Sequence, residues 1–196
     1  MRVLLAGATG VIGVRLVPLL VAARHEVAGL TRSPAKAEML RELGAQPVVC
    51  DVYDAAALRN AVVDFGPELV LHELTDLPDD PAQIGDASAN ARIRREGTRN
   101  LLAAADAAET RRFVAQSVAW ELEGDGAAAK AELERLVLGA NGVILRYGRF
   151  HGPGTYHPVD LPPPPRIHVD DAARRTVGLL EQPPGIVTVV SGETGN

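Results

Sequence analysis

Cysteine is almost absent from this chain. Cys50 is the only one among 196 residues, so no internal disulfide can form and no set of thiols can hold zinc. A sequence of this kind suits a reducing compartment, and the expected location is the cytoplasm. Long hydrophobic runs are missing as well. The first apolar segment starts at Val3 with no basic stretch before it, and the run from Val14 to Ala23 is interrupted by Arg15 and Pro18. Neither a signal peptide nor a membrane span is expected. Dense basic patches are also lacking. The 20 Lys and Arg against 25 Asp and Glu give a net charge of -5, with lysine only at Lys36 and Lys130. Nothing in that pattern could track a nucleic-acid backbone. No internal repeat is present. With 46% apolar and 23% charged residues, the length suffices for one sizeable core and is too short for two. One domain over 1–196 is expected, with a small molecule as its partner.

What is present is a rhythm. Short runs rich in Val and Leu alternate with longer segments of helical periodicity, the pattern of βα units in a parallel sheet. The strands read as Val3 to Ala6, Glu26 to Leu30, Pro47 to Val49, Leu69 to His72, Arg112 to Gln116, Val143 to Arg146 and Ile186 to Val190. Helices are expected near 11–23, 34–43, 54–64, 88–108, 127–139 and 170–181. The fold class is therefore α/β, a doubly wound parallel sheet buried on both faces. Two stretches break the rhythm and read as loops: 73–87, and 151–167 with its Pro162 to Pro165 run.

The segment VLLAGATGVIG places Gly7, Gly10 and Gly13 directly after the first strand and at the opening of a helix. The first glycine permits a tight turn, the second lets the backbone approach a pyrophosphate, and the third allows close packing of helix on strand. The helix N-terminus then attracts the negative charge. Thr9, Val11 and Ile12 complete this turn as cofactor-binding candidates. At the end of the second strand, where a site for NAD would place Asp or Glu against the ribose 2′-hydroxyl, the sequence has Arg32. A guanidinium can grip a 2′-phosphate, with Thr31 and Ser33 as further donors, so NADP(H) is the preferred cofactor and NAD(H) the alternative. Asp51 can accept from the adenine amino group while Val52 covers the ring; equally, Asp51 or Asp54 can cap the next helix.

The segments GATGVIG, CDVYD, VLHELTDLP, EGTRNLLAAA, RRFVAQSVAW, VILRYGRFHGPGT and IHVDDAA follow one another in an order that resembles the extended or atypical branch of the short-chain dehydrogenase/reductase superfamily, the NAD(P)-dependent epimerases and dehydratases. The resemblance implies a Rossmann fold, a nicotinamide cofactor, chemistry where strands four to six end, and a homodimer formed through helices 88–108 and 127–139, whose Ala103, Ala104, Ala107, Ala128 and Ala131 suit close packing. Two departures matter. The superfamily uses a YxxxK pair, the tyrosine as acid/base and the lysine to tune it and hold the ribose. If Lys130 is that lysine, the tyrosine position is Gly126, and no other tyrosine precedes a lysine by four. Lys130 also reads as a surface residue. The substrate-orienting serine is Ser117, or else Val118 occupies its place. The second departure is length, since only 151–167 stands where the family inserts a larger substrate-binding segment. The pocket is expected to be small, open or completed by another subunit.

Groups expected to converge beside the nicotinamide are His72, Glu73, Asp76, Ser117, Trp120, Glu121, Tyr147, Arg149 and His151. His151 and Tyr147 are the candidate replacements for the missing acid/base, with Lys130 third. Tyr147 can instead be buried with its hydroxyl satisfied. His72 is a catalytic candidate or, as the family motif implies, a residue packing near the adenosine side of the cofactor. In the HVDD segment the first aspartate, Asp170, is expected to cap a helix. Three functions stay open: an NADP(H)-dependent oxidoreductase or epimerase acting on a carbonyl or hydroxyl, a non-redox isomerase, cyclase or dehydratase, and a cofactor-sensing regulator.

Overall fold

A computed structural model describes residues 1–78, 80 and 88–192; the part of the 73–87 loop beyond these lies outside the described residues. Seven parallel strands form the main sheet: β1 (Arg2–Ala6), β2 (Glu26–Thr31), β3 (Gln46–Val49), β4 (Leu69–His72), β5 (Arg112–Val118), β6 (Val143–Tyr147) and β9 (Gly185–Val189), in the spatial order β3-β2-β1-β4-β5-β6-β9. The order reverses between β1 and β4, and a doubly wound sheet opens its ligand crevice at such a point. This is the Rossmann fold expected from the sequence.

Alternation along each strand decides which helix a side chain meets. Val3 and Leu5 of β1 pack with α1 (Gly13–Ala22), α2 (Ala37–Glu42) and α7 (Val169–Val177) on one face. Leu4 and Ala6 pack with α3 (Ala55–Phe65), α5 (Thr98–Ala107) and α6 (Gly124–Gly139) on the other. Each buried Leu or Val contributes about 1.5–3 kcal/mol relative to exposure, and β1, β4 and β6 bury such residues on both faces.

Several boundaries differ from expectation for identifiable reasons. Residues 88–107 do not form one regular α-helix: α4 (Ser88–Arg92) and α5 are joined by a π-turn, Ile93–Gly97. The 34–43 helix opens as a 3₁₀ turn, Pro34–Lys36, before α2, because Pro34 has no N–H to give and is tolerated in a first turn. Pro18 does not end α1; it sits on the exposed face of the helix. The segment 151–167 is not loop throughout, since β7 (Arg149–His151) pairs in parallel with β8 (Arg166–His168) at its two ends. α7 stops at Val177, and its N-cap is His168, whose Nδ1 accepts from the Asp170 N–H at 3.3 Å; the expected cap, Asp170, pairs with Arg15 instead.

Candidate cofactor cleft and active site

The turn after β1 separates what the fold requires from what a ligand would require. Gly7 has φ +91°, and a Cβ there would lie 2.6 Å from the Glu73 carbonyl oxygen. A Cβ on Gly13 would lie 2.1 Å from the Gly7 carbonyl oxygen. Both positions are closed to any other residue by the protein's own backbone. Gly10 is different. It is exposed, its N–H donates to the Gly7 carbonyl at 3.0 Å, and a Cβ would touch nothing but that carbonyl, at 3.2 Å. No side chain caps the start of α1, so the positive end of this helix faces the open side of Gly10. This cradle, which a side chain would fill, fits a pyrophosphate. Ile12 is buried in the core and can offer only its backbone, while Val11 is half-buried against the turn at Gly154.

Beyond the turn, the Thr9 hydroxyl lies 3.5 Å from that of Thr31, and Thr31 Oγ1 also accepts from the Ser33 N–H. Thr31 is buried. Arg32 is two-thirds exposed and touches Asp76 at 3.3 Å through one Nη. Asp51 accepts from the Tyr53 N–H, Asp54 caps α3, and Val52 is buried with its carbonyl held by Asn100 Nδ2 at 2.9 Å.

At the carboxyl ends of β4 to β6 the period of two sorts the remaining candidates onto opposite faces. His72 faces α5: its Nε2 bonds the Thr98 hydroxyl at 2.9 Å and its Nδ1 accepts from the Leu74 N–H. Burial depresses its pKa to about 4, so the ring is neutral with no free nitrogen. Ser117 faces α6 and donates to Glu134 Oε1 at 2.6 Å; Arg146 grips the same carboxylate through two bonds, at 2.9 and 2.5 Å. Burial pushes the Glu134 pKa up, but the Arg146 and Ser117 hydrogen bonds outweigh it and the carboxylate stays below its ordinary range. Lys130, for which both a site role and a surface place were open, is buried where α6 packs beside β5, and it gives one bond to the Trp120 carbonyl at 3.1 Å. On the other face, Tyr147 is buried with its hydroxyl 2.6 Å from Thr176 and 3.0 Å from Glu73 Oε1. Burial raises the Glu73 carboxyl to about 8, although the Tyr147 bond works against this, and Oε2 has no partner among the described residues. The Tyr147 pKa is driven well above 10 by burial and then by the Glu73 charge.

Contacts among the described residues link the segments that follow β4, β5 and β6. The Tyr156 hydroxyl donates to the Pro78 carbonyl, and Arg149 lies over the Trp120 ring at 4.7 Å while bonding the Pro163 and Pro164 carbonyls. Arg15 of α1 reaches Asp170 at 2.6 Å, the Val11 carbonyl at 2.6 Å and the Pro153 carbonyl. His151 sits edge-on to His168 with ring centroids 5.3 Å apart, and burial, then His168 and Arg166, hold its pKa below the usual value. Among the described residues, no hydrogen bond joins Ser117 to His151, Tyr147 or Lys130. Sequence reasoning did not pick out Glu134 or Arg94. Glu134 was within reach of it, lying one helical turn beyond Lys130 on α6.

Comparison with known proteins places this geometry. Residues 7–137 match the model of an NAD(P)H-binding family. A Streptomyces 3-diazoavenalumate denitrifying reductase is 38% identical over 226 residues, covering 92% of this chain and 72% of that protein. The NAD complex of UDP-glucose 4-epimerase from Thermus thermophilus superposes with a TM-score of 0.79 at 24% identity, over 98% of this chain and 78% of that one. The NAD complex of the Bordetella bronchiseptica enzyme WbmG gives 0.75 at 20%, over 98% and 73%. The chain belongs to the NAD(P)H-binding family, and the short-chain dehydrogenase/reductase superfamily resemblance drawn from its motifs stands. No helix among the described residues is long and apolar enough to cross a membrane.

Proposed function

We propose that this protein is a reductase of the cytoplasm that binds NADPH in preference to NADH and reduces a small electrophilic molecule. The 2′-phosphate preference rests on Arg32, which keeps donors to spare beyond its single contact with Asp76, and on the absence of any carboxylate at positions 31–33. Gly10 and the uncapped start of α1 would receive the pyrophosphate, Asp51 and Val52 the adenine, and Lys130 the nicotinamide ribose. The bound cofactor would supply hydride.

The observation that carries the choice of reaction is the state of the proton-bearing groups. Position 126, four residues before Lys130, is a glycine, where a Cβ would make only ordinary contact with Leu122. Tyr147 is buried and bonded, and His151 is held toward its neutral form. With the remaining acid, Glu73, buried against Tyr147, such a cleft suits a hydride acceptor that needs no proton from the enzyme. A diazo-bearing substrate, which the relative's name specifies for that protein, meets this requirement in its cationic aryl diazonium form. Bound NADPH would supply the hydride that replaces the diazonium group, with dinitrogen as the leaving group and NADP⁺ as the oxidised product. Ser117 and Lys130 would then position the substrate and the ribose. Carbonyl reduction is the other reading, with His151 or Tyr147 managing the proton.

The test mixes enzyme and NADPH with an arenediazonium salt and, separately, with a panel of activated carbonyls, each against an enzyme-free control. Enzyme-dependent NADPH oxidation matched by dinitrogen release is expected. Oxidation with carbonyls alone removes the diazo reading, and binding without oxidation of either removes the reductase. We propose further that the protein is a homodimer: Ala103, Ala128 and Ala131 lie on the exposed face of α5 and α6, whereas Ala104 packs inside its own subunit. Light scattering at micromolar concentration should give twice the chain mass, and a monomer mass would exclude it.

A further inference from the structure

On the α6 side of the β5–β6 edge the charges do not balance. Arg146 is matched by Glu134. Lys130 is buried and, among the described residues, bonded only to a neutral carbonyl. Arg94 is partly buried and makes no hydrogen bond or ion pair among the described residues; it feels the field of Glu134, a carboxylate already shared by Arg146 and Ser117. Burial depresses the Arg94 pKa despite that field. Glu121 is in electrostatic range of Arg146 but stands in solvent. Among the described residues, three cations therefore share one enclosed carboxylate. A cation withdrawn from water without an anion is costly, and an anion arriving from outside would relieve that cost.

The backbone at Arg94 points the same way. Arg94 lies within the π-turn Ile93–Gly97, which packs on α6. Such turns are rare, and they recur at functional sites.

We propose that Arg94 recognises the substrate's anionic group, a carboxylate on a small organic acid received by its guanidinium fork on the α6 side of the β5–β6 edge, with Lys130 adding its charge. A fork of two parallel N–H donors matches a carboxylate better than a point charge does. This rests on the reductase reading for its assumption that the cleft holds a small substrate. The same chemistry could be met by a phosphate of the cofactor, and the experiment separates the two sources.

Calorimetry measures binding of trans-cinnamate and of its neutral isostere trans-cinnamamide, to the protein alone and at saturating NADP⁺; NADP⁺ affinity is measured separately. The parent should bind the acid about 10-fold to 100-fold more tightly than the amide. Arg94→Gln should lose most of this preference, with NADP⁺ affinity unchanged. Should that variant not fold, Arg94→Lys keeps the charge, gives up the fork, and should lose about tenfold for the acid alone. Failure of both compounds to bind, equal binding by the parent, or a preference that survives undiminished in the variant would overturn the proposal. Weakened NADP⁺ binding in the variant would assign Arg94 to the cofactor and overturn it too. No turnover is needed, so a carboxylate preference without hydride transfer would count against the reductase reading alone.

Discussion

The Ser117 hydroxyl donates to the Glu134 carboxylate across 2.6 Å, joining the end of β5 to the middle of α6. Because Arg146 grips the same carboxylate, removing Glu134 strands a guanidinium and a serine together. Glu134→Ala should cost roughly 2–4 kcal/mol, less than a fully enclosed pair because Arg146 is one-third exposed. Urea unfolding measures it, and a Glu134→Leu, Arg146→Met double variant should recover most of the loss.

Glu73 gives the fold a pH dependence of definite sign. Its carboxyl is raised from 4.5 to about 8 by burial. The stability tied to its neutral form is therefore complete below the unfolded value and is lost as pH rises through about 8. Comparing unfolding midpoints at about pH 5 and about pH 9, Glu73→Gln should flatten this decline and be the more stable protein on the alkaline side. A variant with the parent's slope would locate the dependence elsewhere.

Arg32 and Asp76 make opposite predictions for the cofactor. Arg32→Ala should weaken NADP⁺ binding about 10-fold to 100-fold and leave NAD⁺ nearly unchanged. Asp76→Asn releases the guanidinium and removes a negative charge from the same corner, so NADP⁺ should bind more tightly. Fluorescence titration of both nucleotides reads the pair, and equal affinities in the parent would remove the argument.

The three glycines of the turn should fail in different ways. Gly13→Ala drives a Cβ to 2.1 Å from the Gly7 carbonyl and should lower the melting temperature. Gly10→Leu meets little inside the protein and should fold, with binding of both nucleotides lost. Circular dichroism with nucleotide titration separates the two effects.

Much of this was legible in the chain before its structure. Strand positions, their parallel arrangement and the glycine turn follow from local patterns, since period two and a turn glycine act within a few residues. The facing of the site residues was legible only in part. That Ser117 and Arg146 meet α6 whereas Glu73 and Tyr147 meet α7 follows from alternation once the register of β4 to β6 is fixed, and register is a property of paired strands. The π-turn carrying Arg94 had no local signal, because a widened turn depends on what packs against the helix. Nor could a sequence show that His72 spends both nitrogens, which depends on Thr98, 26 residues away.

Arg15 connects parts of the chain that are synthesised far apart. Its partners Pro153 and Asp170 lie 138 and 155 residues further on. An emerging chain would form β1 and the glycine turn well before these, so the arginine beside that turn must wait before its donors are satisfied. Loop-closure entropy delays contacts of this span. The nucleotide cradle is thus made long before it is braced, and added cofactor should speed the final stage of refolding more than the initial collapse.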